Sequence, residues 1–191
     1  MNKLFPILFL SIALLASCGG ESTKQEPTNS KQAKADKINE LEQQLYDTKD
    51  ETPDLDRQAA LDVVKLYQQF ADTFPDDPRS PQYLFKGGEV SIALQQYHLA
   101  ISFYEKCFKK YPDYERRPDC LYLQGFIYDN HLEYHAVAKE NYERVIKEFP
   151  NHPYAKDAEA AIQTLTMSDE ELIKMFKEKE KQQQDSLQAA S

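Results

Sequence analysis

The stretch YEKCFKKYP, residues 104–112, carries helix-forming residues up to Tyr111 and Pro112, where proline cannot continue a helical hydrogen-bond ladder. A helix therefore ends there. Moving back 37 residues turns Tyr104, Cys107, Tyr111 and Pro112 into Tyr67, Phe70, Phe74 and Pro75, and moving forward 38 gives Tyr142, Val145, Phe149 and Pro150. Val63, Ala100 and Ala138 keep the same offset upstream, Gly88 and Gly125 lie 37 apart, and Tyr83, Cys120 and Ala158 step by 37 and 38. A fixed period of this length marks an array of supersecondary units, each burying its apolar face on the next.

Within each unit the apolar spacing is helical. In the first, Leu55, Ala59, Val63, Leu66, Phe70 and Phe74 fall near one face, and Thr52-Pro53 reads as a cap followed by proline in the first turn. Further starts are expected at Ser80-Pro81, Arg117-Pro118 and Pro153, and further ends at Pro112 and Pro150. The expected fold is all-α: about three and a half helical hairpins in a short right-handed solenoid over residues 52–166. Unit one lacks a first helix where the period demands one. KINELEQQLY (37–46) places Ile38, Leu41 and Leu45 on one face, and is expected to form a short accessory helix within 35–50, laid on the end of the array. Residues 167–191 open with the capping box Ser168-Asp-Glu-Glu171, so that Leu172, Ile173 and Phe176 are expected to cover the last hairpin before a polar tail.

Composition narrows the function. The chain has 191 residues, a net charge of -9, 12 tyrosines, 10 phenylalanines and no tryptophan. Neutralising phosphates needs clustered Lys and Arg, so this balance argues against a nucleic-acid binder. No phosphate-cradling loop, nucleophile elbow or paired-carboxylate motif is present, and no cofactor or enzymatic activity is expected. His131 and His135 are four apart, but they straddle the turn HLEYH with no third ligand nearby, so no metal is expected.

Residues 1–17 have the charge of Lys3 and the apolar run LFPILFLSIALLA, which is short for a membrane span and suited to a signal peptide. The run ends in Leu15-Ala16-Ser17-Cys18, which resembles the lipobox of bacterial lipoproteins. The resemblance implies cleavage between Ser17 and Cys18 and a lipid on the Cys18 sulfur. Gly19 in place of the aspartate that retains such proteins at the inner membrane of enteric bacteria implies an outer-membrane anchor; the periplasmic face is expected, with the cell exterior left open by the sequence. GGESTKQEPTNSKQAK (19–34) has no large apolar residue and reads, with Cys18, as a lipidated tether.

The repeat pattern resembles the long tetratricopeptide variety of the YbgF (Tol-Pal system) and BamD lipoproteins. The resemblance rests on Gly88 and Gly125 in first helices, Ala100, Ala138, Tyr104 and Tyr142 in second helices, and the closing Pro75, Pro112 and Pro150. It implies a scaffold for protein partners of the cell envelope, with β-barrel assembly and ligand binding in nutrient uptake as alternatives. It also implies a peptide groove along the first helices. Registering these on the glycines places Phe85, Glu89, Tyr122, Phe126 and Asp129 there, although each aromatic equally fits packing between hairpins. The groove suits an aromatic or basic segment. Cys107 and Cys120 align with Phe70 and Val145 and with Tyr83 and Ala158, which are packing places; whether they also form a disulfide is left open by the sequence.

Overall fold

The computed structural model describes residues 26–46 and 55–189. They form eight helices: α1 (Glu26–Tyr46), α2 (Arg57–Thr73), α3 (Arg79–Ala93), α4 (Tyr97–Lys110), α5 (Arg117–Asn130), α6 (His135–Glu148), α7 (Pro153–Leu165) and α8 (Asp169–Ala189). No strand occurs among the described residues. From α1 to α7 each helix packs on the next, giving the expected all-α solenoid: three hairpins, α1/α2, α3/α4 and α5/α6, and α7 as the first helix of an incomplete fourth.

The period seen in the sequence is a period of backbone geometry. The second helix of each hairpin ends on an aromatic residue before proline, with φ and ψ of −128° and 60° at Phe74, −124° and 74° at Tyr111, and −135° and 55° at Phe149. In all three the terminal N–H donates to the carbonyl four residues back. The turns inside hairpins two and three also match, with left-handed backbone at Gln95 (φ 60°) and Glu133 (φ 58°).

Packing follows the same alignment. Tyr67, Tyr104 and Tyr142 are buried, as are Val63, Ala100 and Ala138 one turn earlier. The tyrosine ring lies flat against the glycine of the preceding helix: a Cβ built on Gly88 would stand 2.5 Å from Cε1 of Tyr104, and one on Gly125 would stand 2.9 Å from Cε1 of Tyr142. Glycine is required here by contact with the ring, because there is no room for a methyl group.

The N-terminal part differs from expectation. α1 starts at Glu26, so residues 26–34 are helix where a tether was expected, and the accessory helix is the first helix of hairpin one. It runs antiparallel to α2, burying Ala35, Ile38, Leu41 and Leu45. The lack of large apolar residues misleads because this segment is held by charge. Lys31 pairs with Asp77 (3.1 Å) at the α2–α3 corner, and Glu42 accepts from Tyr67 (2.6 Å) and Lys86 (2.8 Å). α2 starts at Arg57 under the Asp56 cap, whose carboxylate accepts from the N–H groups of Gln58 and Ala59. The cap expected at Thr52 lies outside the described residues.

The C-terminal part differs too. The Ser168–Glu171 capping box forms (Ser168 N to Glu171 Oε2, 2.9 Å), but α8 then continues to Ala189 without packing on α7. Ile173 and Phe176, expected to cover the last hairpin, are each 54% exposed. α8 is mostly charged and amide residues, and its few apolar side chains offer too little area to hold it against the array.

Asp77 has a low carboxyl pKa. Its oxygens accept from Arg79 Nε (2.8 Å) and Nη2 (3.0 Å) and pair with Lys31, and the Arg79 hydrogen bond chiefly holds the carboxyl well below the usual range. A depressed folded-state value adds stability above the unfolded value of about 3.9 and loses it as pH falls through the folded one. Asp77→Asn is therefore expected to flatten the loss of melting temperature below about pH 4; parallel acid profiles for the two proteins would remove Asp77 from this role. Gly88→Ala is expected to cost about 1–3 kcal/mol in chemical denaturation, and more than Gly125→Ala, whose contact is looser.

Candidate functional site

Solenoids of hairpins present their first helices along one side, and here α5 and α7 pack directly on one another, so the array closes toward that side. Between adjacent first helices a planar side chain lies over an aromatic ring. The Arg116 guanidinium is 3.5 Å from the centroid of Phe85, and Tyr154 stacks on Tyr122 at 4.3 Å with 1° between the rings. Phe85 and Tyr122 are 37 apart, Arg116 and Tyr154 are 38 apart, so the two stacks occupy equivalent places.

Arg116 is the hub of the face. Its Nε donates to Asp119 (2.9 Å), its Nη1 lies 3.7 Å from Glu89, and the other oxygen of Asp119 is 3.4 Å from His152 Nε2. Glu89, half-exposed, has its carboxyl pushed up by burial, with Arg116 pulling the other way. The result is a continuous strip of carboxylate, guanidinium, imidazole and ring faces.

The five groove residues separate into two groups. Glu89, Tyr122 and Phe126 lie at this face, exposed in the first case and half-buried in the other two. Phe85, by contrast, is 1% exposed, packed 5.4 Å from the ring of Tyr104 and roofed by Arg116, so it is floor and not contact surface. Asp129 turns inward, accepting from the Tyr142 hydroxyl (3.3 Å) and lying 3.3 Å from His135 Nδ1. His131 instead stacks on Tyr97 at 4.3 Å, so the two histidines of HLEYH have separate neighbours. Ser17 and Cys18 lie outside the described residues.

Arg116, Asp119, His152 and Tyr154 are the residues that sequence reasoning missed. A signal was present: extending the subtraction upstream of the glycines aligns Arg79, Arg116 and Tyr154, three large planar groups at one repeat place.

The buried tyrosines differ at their hydroxyls. Tyr67 donates to Glu42 and Tyr142 to Asp129, each on the first helix of its own hairpin. The hydroxyl of Tyr104 is buried without a hydrogen-bond partner. The residue aligned with Asp129 in hairpin two is Ile92, which has no acceptor to offer.

An array of antiparallel helix pairs with an exposed polar and aromatic inner face defines a helical-repeat binding protein. The sequence pattern of the tetratricopeptide repeat family matches residues 82–114 and 119–152, which contain hairpins two and three. Over these two stretches the chain is similar to tetratricopeptide repeats, an architecture that typically serves as a non-catalytic scaffold for protein partners. Among curated proteins no match is found.

The three hydroxyls permit a matched comparison. Tyr67→Phe and Tyr142→Phe should each destabilise by about 1 kcal/mol in denaturant melts, whereas Tyr104→Phe should be neutral or stabilising, because it removes an unpaired buried donor. Equal losses at all three positions would show that Tyr104 finds an acceptor.

Proposed function

We propose that the protein is a lipid-anchored, non-catalytic outer-membrane lipoprotein facing the periplasm, whose repeats hold a protein partner of the cell envelope. The proposal follows the manner of the YbgF family in Tol-Pal and division coordination. The observation that carries the binding role is the strip around Arg116, which combines carboxylates with half-buried rings on the inner side of the matched repeats. A basic or aromatic segment of a partner suits it. An arginine or lysine would compete with Arg116 for Glu89, and an aromatic side chain would pack against the partly exposed sides of Tyr122 and Phe126.

The anchor is supported by Leu15-Ala16-Ser17-Cys18 and the apolar run before it. Several acyl chains make such an anchor stable. Only seven residues, 19–25, separate Cys18 from the start of α1. Their contour is at most about 25 Å, so the first hairpin would stay close to the bilayer. Holding a weak binding face and a membrane-bound partner on one surface raises their effective concentration, which compensates for modest intrinsic affinity.

Cys18→Ala should move the protein from the membrane to the soluble fraction, and unchanged membrane association would refute the anchor. With the tagged wild type cross-linked in membranes, Tol-Pal components are the expected partners. Recovery of β-barrel assembly subunits or of a sugar-uptake porin would reassign the scaffold, and Glu89→Lys should weaken the capture that wild type shows.

A further inference from the structure

Cys107 on α4 and Cys120 on α5 are both fully buried and are free thiols in the structure. Their places in the array are a contact pair. The residues thirteen apart at these positions in the preceding copy, Phe70 and Tyr83, meet with ring centroids 4.8 Å apart, and those in the next copy, Val145 and Ala158, are fully buried. In the middle copy two fully buried thiols hold these places. Interaction with Cys107, together with burial, pushes the Cys120 thiol far up. Cys107 Sγ also lies 3.5 Å from the Pro81 carbonyl, towards which it donates.

We infer that Cys107 and Cys120 are a covalent cross-linking site, joined as a disulfide that ties the second helix of hairpin two to the first helix of hairpin three. Its occurrence in the cell rests on the envelope reading above, since disulfides persist in oxidising compartments; its chemistry does not. The bond forms before α5 docks, while both thiols are exposed and ionise at ordinary pH. One thiolate attacks the disulfide of an oxidised dithiol or of oxidised glutathione, giving a mixed disulfide and releasing one thiolate. The second cysteine's thiolate then attacks the cysteine sulfur of that mixed disulfide, closing the bond and releasing the other. The two cysteines lose two protons and two electrons, and the oxidant's sulfur–sulfur bond takes up the electrons. Once packed, the reduced pair is inert, because both thiols are fully buried and out of reach of an oxidant in solution.

The cross-link bears on the binding strip. α5 carries Arg116 at its N-cap and Tyr122 on the inner face, so fixing α5 on α4 fixes the spacing between Glu89 and Arg116 and pre-organises the face.

The test uses the full-length chain. Unfolded and reduced, it is refolded in a glutathione redox buffer, quenched in acid, alkylated under denaturing conditions and mapped by peptide mass. A linked pair of peptides containing Cys107 and Cys120 is expected, with a melting temperature roughly 5–10 °C above that of the reduced form. Folded protein kept reduced should resist the same buffer. The control is the double variant Cys107→Val and Cys120→Ala, which borrows the pair of the third copy; its melting temperature should not respond to reductant. Alkylation of both cysteines after refolding, or equal melting of linked and reduced forms, overturns the cross-link. A bond that forms on refolding but is found as free thiols when cells are quenched in acid and alkylated under denaturing conditions upholds the cross-linking chemistry and overturns the envelope reading instead.

Discussion

The array depends on one contact, a tyrosine ring lying against a glycine. Tyr104 on Gly88 and Tyr142 on Gly125 set how closely the two helices of a hairpin approach, and the separation leaves no space for a β-carbon on the glycine. An aromatic ring is needed because it is wide enough to extend beyond its own hairpin, and rigid enough to hold the spacing. Phe85 packs on Tyr104, and Tyr122 packs on Tyr142, so the contact that closes a hairpin also supports the floor of the inner face. Fold and binding surface thus share an origin.

That sharing explains which parts were legible in the sequence. The hairpins were, because their determinants are local and recur: proline ends three helices, glycine and tyrosine keep their offsets, and one subtraction reveals them all. The first helix was legible only in its second half, where Ile38, Leu41 and Leu45 keep a helical spacing and are buried; its start and its pairing with α2 were not, because α1 is displaced by a longer connector and its outer contacts run through Lys31 and Glu42. Charge pairs with partners 44 and 46 residues away leave no local signature. α8 erred in the other direction, since a correct local signal, the capping box, starts a helix but does not choose what it packs against.

The inner face was legible as a register but not as a list of contacts. The glycine offset placed Phe85 and Asp129 on the correct helix faces, yet both are used internally, one under Arg116 and the other by Tyr142. The deciding groups come from the start of the following helix: Arg116 and Tyr154 reach back over rings of the preceding unit. A helical register alone says nothing about such cross-repeat reach. Only aligning positions outside the familiar glycine-to-proline frame brings them out.

The second hairpin is where the requirements of packing and binding diverge most. Its neighbours satisfy their buried tyrosine hydroxyls with Glu42 and Asp129, but here Ile92 stands at the aligned place and the hydroxyl of Tyr104 is left without an acceptor. An unpaired buried hydroxyl costs about 1–3 kcal/mol. The same hairpin instead supplies Glu89, one turn of helix from Phe85, to the exposed strip where Arg116 meets it. Hairpins one and three each direct one first-helix carboxylate, Glu42 or Asp129, inward to the tyrosine, whereas the first-helix carboxylate of hairpin two, Glu89, points outward. A carboxylate turned inward stabilises the repeat and is lost to a partner; one turned outward leaves the tyrosine unsatisfied and keeps a charge available at the surface. The middle of the array is thereby the place where stability is given up for a polar face.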